Sequence, residues 1–214
     1  MNLAPAGYIK AVLGPREAVL DEILRSSLLE YHMPTIQVDD NAGRVLQVLM
    51  LLRAPQRAIE IGTLFGYSTI YLARGLPPGG RLTSLEIDPA AADLARVNIA
   101  KVGLADRVEV LTCDATTYLQ TVEPESVGFV FIDGDKKSYV EYLKLCFPAL
   151  EKGGLLVADD AFAMGDFSIE HDPRDEVGQE EAAIRSYAVS TGRSPRLHSA
   201  FVGTETGLMV SYKW

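Results

Sequence analysis

From about residue 57 the chain repeats one pattern: a short run rich in Val, Ile or Leu, then a glycine or an acid, then an amphipathic stretch. This pattern constrains the fold most, because parallel strands buried on both faces read as short apolar runs and need helical crossovers between them. The runs Ala58–Ile61, Leu82–Glu86, Val108–Leu111, Val127–Ile132 and Leu155–Ala158 are read as strands. Between them Tyr67–Arg74, Ala90–Lys101, Ala115–Gln120 and Ser138–Leu150 are read as helices, with Asp88-Pro89 as a start signal. Two helices precede this core, Arg16–Glu30 and Asp40–Leu52. A helix over Glu180–Ser190 follows it, then two strands, Arg196–Val202 and Gly207–Lys213, forming an antiparallel hairpin. The fold class is α/β, with 1–214 as one domain whose N-terminal helices, 1–55, pack on the core or on a partner subunit. The segment Phe162–Gly178 lacks periodicity and is read as a loop covering a site.

Charge and composition narrow the partners. A net charge of -9 gives no general attraction to nucleic acid. No apolar run reaches the length of a membrane span. The two cysteines, Cys113 and Cys146, lie in apolar stretches outside any metal or redox spacing, which makes a reduced cytoplasmic protein the expectation. His32, His171 and His198 are too scattered to form a metal set.

In open α/β sheets ligands bind beyond the carboxyl ends of the strands, so the residues after each run carry the chemistry. The first run opens into Glu60-Ile61-Gly62-Thr63-Leu64-Phe65-Gly66-Tyr67-Ser68. Gly62 and Gly66 allow a tight turn and close approach to a ligand. Their spacing is GxxxG, whereas a pyrophosphate on a helix N-terminus calls for GxGxxG, so a nucleoside with a carboxylate tail fits better than a dinucleotide. The second run ends in Glu86, placed to accept both hydroxyls of a ribose diol, with Asp88 as a helix cap. The third ends near Asp114-Ala115, where Asp114 either meets an adenine edge or caps the next helix. The fourth and fifth runs bring Asp133-Gly134-Asp135-Lys136 and Asp159-Asp160 to the same edge. Carboxylates converging there repel one another unless a cation sits among them, and oxygen ligands favour a hard ion such as Mg²⁺.

The set EIGTLFGYS, LEID, FIDGDK and VADD, in this order and spacing, resembles the cation-dependent O-methyltransferases that include catechol and caffeoyl-coenzyme A O-methyltransferases. The resemblance runs from about Tyr31 to the C-terminus. It implies a seven-stranded Rossmann-like sheet with an antiparallel last strand, S-adenosylmethionine as co-substrate, and a homodimer. It also implies that Asp133, Asp159 and Asp160 hold the metal, that Lys136 is the catalytic base, and that Asp133 touches metal, substrate and cofactor together. Around the cofactor it places Val38, Glu60, Gly62, Ser68, Glu86 and Ala115, with Glu60 at the methionine amino end; Thr63 and Asp114 join them by position. Two departures stand out: the family usually has Asp-Asn where this chain has Asp159-Asp160, and no N-terminal basic residue aligns with the one that serves coenzyme A esters. The acceptor is therefore expected to be a small catechol-like aromatic. A same-fold enzyme acting on hydroxyuridine in tRNA is the alternative; a basic rim would favour it, and an apolar wall from Met164 to Ile169 the aromatic. A nicotinamide-dependent oxidoreductase and a non-catalytic cofactor sensor are weaker readings. Leu20, Ile23, Leu24 and Leu28, at helical spacing, are read as contributing to the subunit interface.

Overall fold

A computed structural model describes residues 4–162, 172 and 174–214. Three helices come first: α1 (Ala4–Leu13), α2 (Ala18–Leu29) and α3 (Asp40–Arg53). The alternating core follows as β1 (Arg57–Ile61), α4 (Tyr67–Arg74), β2 (Arg81–Glu86), α5 (Pro89–Lys101), β3 (Val108–Thr112), α6 (Ala115–Leu119), β4 (Val127–Ile132), α7 (Tyr139–Ala149) and β5 (Leu150–Ala158). A 3-10 turn over Lys136–Ser138 leads into α7; α8 (Glu176–Gly192), β6 (Leu197–Val202) and β7 (Leu208–Lys213) complete the order.

The seven strands form one sheet in the order β3-β2-β1-β4-β5-β7-β6. β7 pairs antiparallel with both β5 and β6, and the other adjacent pairs are parallel. The strand order reverses between β1 and β4, which opens a crevice at their carboxyl ends where ligands of such sheets bind. Alternation along each strand divides the core into two layers. Ala58, Phe129, Phe131 and Val157 face α2–α5, while Ile59, Ile61, Val130 and Ile132 face α6–α8. Glu60 shares the first of these faces and so points toward α4.

The helices start where short polar side chains satisfy free N–H groups. Asp39 accepts from the amides of Asn41 and Ala42, Asp88 from that of Ala90 just after Pro89, Asp114 from that of Thr117, and Asp175 from that of Gly178.

Three expectations need correction. α1 was not expected, because Pro5 and Gly7 interrupt the segment; Pro5 falls in the first turn, where its missing N–H costs nothing. β5 begins five residues before the expected Leu155, since Gly153, at φ +78°, bends the strand without ending it. α8 begins at Glu176, inside the segment read as a loop, because its first turns are polar and carry no apolar stripe. Leu20 and Ile23 of α2 are buried within this chain, with Leu24 and Leu28 partly buried beside them, so that stripe contributes to the chain's own core. The expected apolar wall from Met164 to Ile169 lies outside the described residues.

Candidate active site

Backbone geometry builds the first wall of the site. After β1 the chain turns through Gly62 (φ +91°), Leu64 (φ +51°) and Gly66 (φ +85°). A Cβ on Gly62 would collide with the carbonyl oxygen of Asp133, a backbone atom that cannot swing away. Gly62 is thus required by the approach of the β1 and β4 ends. The amide of Asp133 donates to the Ile61 carbonyl at 2.8 Å, which fixes that approach. Glu86 braces the turn from the end of β2: one carboxylate oxygen accepts from the amides of Thr63 (3.1 Å) and Leu64 (2.7 Å), the other from those of Ile87 (2.9 Å) and Asp88 (3.0 Å).

Behind this turn lies Glu60, fully buried, whose carboxylate accepts hydroxyl hydrogen bonds from Ser68, Thr69 and Ser84, each at 2.6 Å. Burial pushes its pKa up to about 7, against the pull of the three hydroxyls. The Ser84 hydroxyl also lies 2.6 Å from that of Thr63. Ser68 and Thr63 line the cleft and Glu60 does not, so the acid reaches the cleft through its hydroxyl partners.

The opposite wall is acidic. Asp133 follows β4, and Asp159 and Asp160 follow β5; each offers a carboxylate oxygen within 4.8 Å of the others. Burial raises Asp133 to about 6, with Lys136 opposing and Asp160 adding repulsion. Burial together with the charge of Asp133 raises Asp159 to about 7, and the Thr206 hydroxyl, at 2.7 Å, opposes this. Asp160 sits at φ +53°, a left-handed conformation that Asp and Asn adopt more readily than other side chains carrying a Cβ. Lys136 closes the cluster: its ammonium lies 2.8 Å from Asp133, 2.5 Å from Asp160 and 3.2 Å from the hydroxyl of buried Tyr139. Burial opposes the charge on Lys136, but Asp133, Tyr139 and Asp160 outweigh it and hold the ammonium above its ordinary range. Tyr139 in turn donates to the Asp159 carbonyl at 3.3 Å. Lys137 points elsewhere and pairs with Glu176 at the surface.

The two walls bound one cleft of about 920 Å³. Val38, Gly62, Thr63, Ser68, Glu86, Asp114, Ala115, Asp133, Lys136, Asp159 and Asp160 all line it, while Glu60 and Gly66 stand back from the surface. Asp114 is engaged as a cap, accepting from the Thr117 amide and the hydroxyls of Thr116 and Thr117, which hold its pKa low.

Three contributors escaped the sequence reading. Tyr139 supports Lys136 from three residues along the chain. Thr206 reaches Asp159 from the β6–β7 turn, and the neighbouring Glu205 amide donates to Asp39 at 2.8 Å, pinning that turn across the cleft. Gln37, beside Val38, lines the cleft with a buried side-chain oxygen that has no partner among the described residues. Only the spacing of Tyr139 from Lys136 left a signal in the sequence; the other two are brought in by tertiary contacts.

Comparison with known proteins agrees with this architecture. Residues 12–213 match the family model described as O-methyltransferase. A catechol O-methyltransferase from Niastella koreensis is 40% identical over 161 residues, spanning 74% of this chain and 72% of its own length. A catechol O-methyltransferase from Mycobacterium tuberculosis is 37% identical over 172 residues, spanning 80% and 76%. Among solved structures, an O-methyltransferase from Bacillus cereus in complex with S-adenosylhomocysteine superimposes with a TM-score of 0.82 at 31% identity, over 97% of this chain and 96% of that one. With its seven-stranded sheet, its cleft at the strand reversal and this match over nearly the whole chain, the protein belongs to the O-methyltransferase family of S-adenosylmethionine-dependent enzymes.

Proposed function

We propose that this enzyme transfers the methyl group of S-adenosylmethionine to a hydroxyl of a small catechol-like aromatic, with a divalent cation such as Mg²⁺ at its acidic cluster. The observation that carries the reading is the meeting of Asp133, Asp159 and Asp160 with Lys136 in the cleft that also holds the Gly62 turn. The donor set fits a hard ion, because three carboxylate oxygens within 4.8 Å of one another are destabilised by mutual repulsion and burial, as the raised pKa values of Asp133 and Asp159 show. Held by these three residues, the ion would supply positive charge that acidifies a bound hydroxyl.

The chain's own residues account for the remaining chemistry. Glu86, Ser68 and the Gly62 turn hold the methyl donor, and the Gln37 oxygen, without a partner among the described residues, is a further acceptor in the same cleft. Glu60, behind the cleft, acts on the donor's ammonium end through Ser68, whose hydroxyl donates to it and so leaves its oxygen free to accept. Lys136, once it has released one ammonium proton to solvent as its carboxylate partners turn to the cation, accepts the hydroxyl proton at Nζ as a neutral amine. The acceptor oxygen then attacks the methyl carbon as the carbon–sulfur bond breaks. The electron pair stays on sulfur, and S-adenosylhomocysteine leaves as a neutral thioether. Holding oxygen and methyl in line supplies a large share of the rate.

The reading of tRNA as acceptor finds no support in the cleft, where Lys136 is the one basic side chain among the described lining residues. A homodimer and a cytoplasmic location are part of the proposal. With the buried side of α2 used inside the chain, the dimer would use exposed Leu29, Val48, Leu51 and Leu52 on the outer sides of α2 and α3. Light scattering at micromolar concentration reads the mass, and a monomer there would remove this element. The location rests on Cys113 and Cys146 both being free, and on no described helix being long and apolar enough to cross a membrane; recovery in a membrane or periplasmic fraction would count against it.

The assignment of Glu86 is tested by calorimetry. Glu86→Ala is expected to weaken S-adenosylmethionine binding by about 100-fold, through loss of charged hydrogen bonds and loosening of the Thr63–Leu64 turn. Glu86→Gln, which retains one acceptor oxygen, should lose less. Unchanged affinity in Glu86→Ala would take Glu86 out of the binding site.

A further inference from the structure

Among the described residues, nine carboxylates line the cleft against a single cationic side chain, Lys136. Most of these acids are engaged. Asp39 and Asp114 cap helices, Glu86 accepts four amides, and the three clustered aspartates share Lys136 and Thr206. Glu180 and Glu205 differ: among the described residues neither side chain accepts a hydrogen bond or forms an ion pair, and Lys137, whose charge Glu180 feels at longer range, makes its contact pair with Glu176 at 2.9 Å.

Their placement is set by two separate elements. Glu205 precedes Thr206, whose hydroxyl holds Asp159, and its own amide is tied to Asp39, so it stands at the metal-side rim. Glu180 lies one helical turn after Glu176, whose pair with Lys137 fastens α8 to the 3-10 turn carrying Lys136. The two carboxylates therefore reach the cleft of the acidic cluster from separate elements, α8 and the β6–β7 turn, with no hydrogen bond to the cluster among the described residues.

We propose that Glu180 and Glu205 act as a charge filter that disfavours hydroxylated acceptors bearing a carboxylate or phosphate and admits neutral or cationic ones. The inference rests on reading the cleft as a methyl-transfer site. Each carboxylate repels an anionic substituent held within about a Debye length, and a cleft with low-dielectric walls strengthens that field. A penalty of about threefold per carboxylate at low salt is expected, shrinking as salt rises.

Three catechols separate charge from reactivity: 3,4-dihydroxyphenylacetate, 3,4-dihydroxyphenethyl alcohol and 3,4-dihydroxyphenethylamine. Their substituents differ in charge but are insulated from the ring by methylene groups, which keeps the hydroxyl acidities close. The readout is the ratio of kcat/KM for the neutral acceptor to that for the anionic one, measured at low and high salt in wild type and in a Glu180→Gln/Glu205→Gln double variant. The filter predicts a ratio of about ten in wild type at low salt, falling several-fold both in the double variant and in high salt. A wild-type ratio near one, or a ratio that the double substitution leaves unchanged, overturns the filter alone. Failure to methylate any of the three overturns the reading beneath it.

Discussion

Asp159→Ala is expected to lower kcat by at least about 10³-fold while leaving the fold intact, and Asp133→Ala to do the same. The two residues end adjacent parallel strands, and the Asp159 amide donates to the Ile132 carbonyl at 3.0 Å, so their carboxylates are delivered by the sheet itself. In the absence of a cation the cluster is a liability: burial and repulsion have already raised both acids. Removing Asp159 relieves that repulsion, so thermal unfolding of the metal-free variant should occur at or above the wild-type temperature even as turnover is lost. The sign follows from linkage. An acid whose folded pKa exceeds its unfolded value binds extra protons in the folded state, and its contribution to stability declines as pH rises from about 4 through 7. The stability gained by Asp159→Ala should therefore be larger at pH 8 than at pH 5. A melting temperature that falls together with activity would assign Asp159 a structural role.

Lys136→Met should reduce kcat by about 10² to 10⁴-fold with a smaller change in S-adenosylmethionine affinity, the range expected for loss of a positioned base. Lys136 is fixed by Asp133, Asp160 and Tyr139, and an arginine would not rescue it, since a guanidinium does not release its proton. The same contacts predict the pH response of Asp160→Asn. Asp160 is one of the charges that raise the Lys136 pKa, so neutralising it lets the ammonium deprotonate at lower pH. The rising limb of the pH–rate profile should then move to lower pH, with metal-dependent activity retained. Asparagine also accepts the left-handed backbone of position 160, at φ +53°, so the substitution carries little strain. The profiles need saturating cofactor and metal; an unmoved limb would remove the electrostatic account of Asp160.

Much of this site was legible in the sequence because strand ends carry it. A buried parallel strand announces itself as a short apolar run, and Gly62, Glu86, Asp133, Asp159 and Asp160 stand within two residues of where such runs stop. The strand Val127–Ile132 and the helix Tyr67–Arg74 have the bounds that apolar pattern and flanking glycine suggest. What escaped depended on contacts between distant segments. Thr206 is an ordinary turn threonine until β7 inserts between β5 and β6 and sets it against Asp159. Glu60 was placed around the cofactor, and strand alternation sets it one layer behind the cleft, toward α4, where Ser68 and Thr69 enclose it. An apolar helical stripe looks the same whether it meets its own sheet or another subunit, and Leu20 and Ile23 of α2 meet their own chain's core.

The central claim is most directly tested by following methyl transfer from labelled S-adenosylmethionine to a simple catechol, before and after exhaustive chelation, with Mg²⁺, Mn²⁺ and Ca²⁺ then titrated back. The account predicts that chelation abolishes transfer, that added Mg²⁺ restores it in wild type and in Asp160→Asn, and that Asp133→Ala stays inactive at every metal concentration. Full activity of the chelated wild-type enzyme, or of Asp133→Ala, would contradict it.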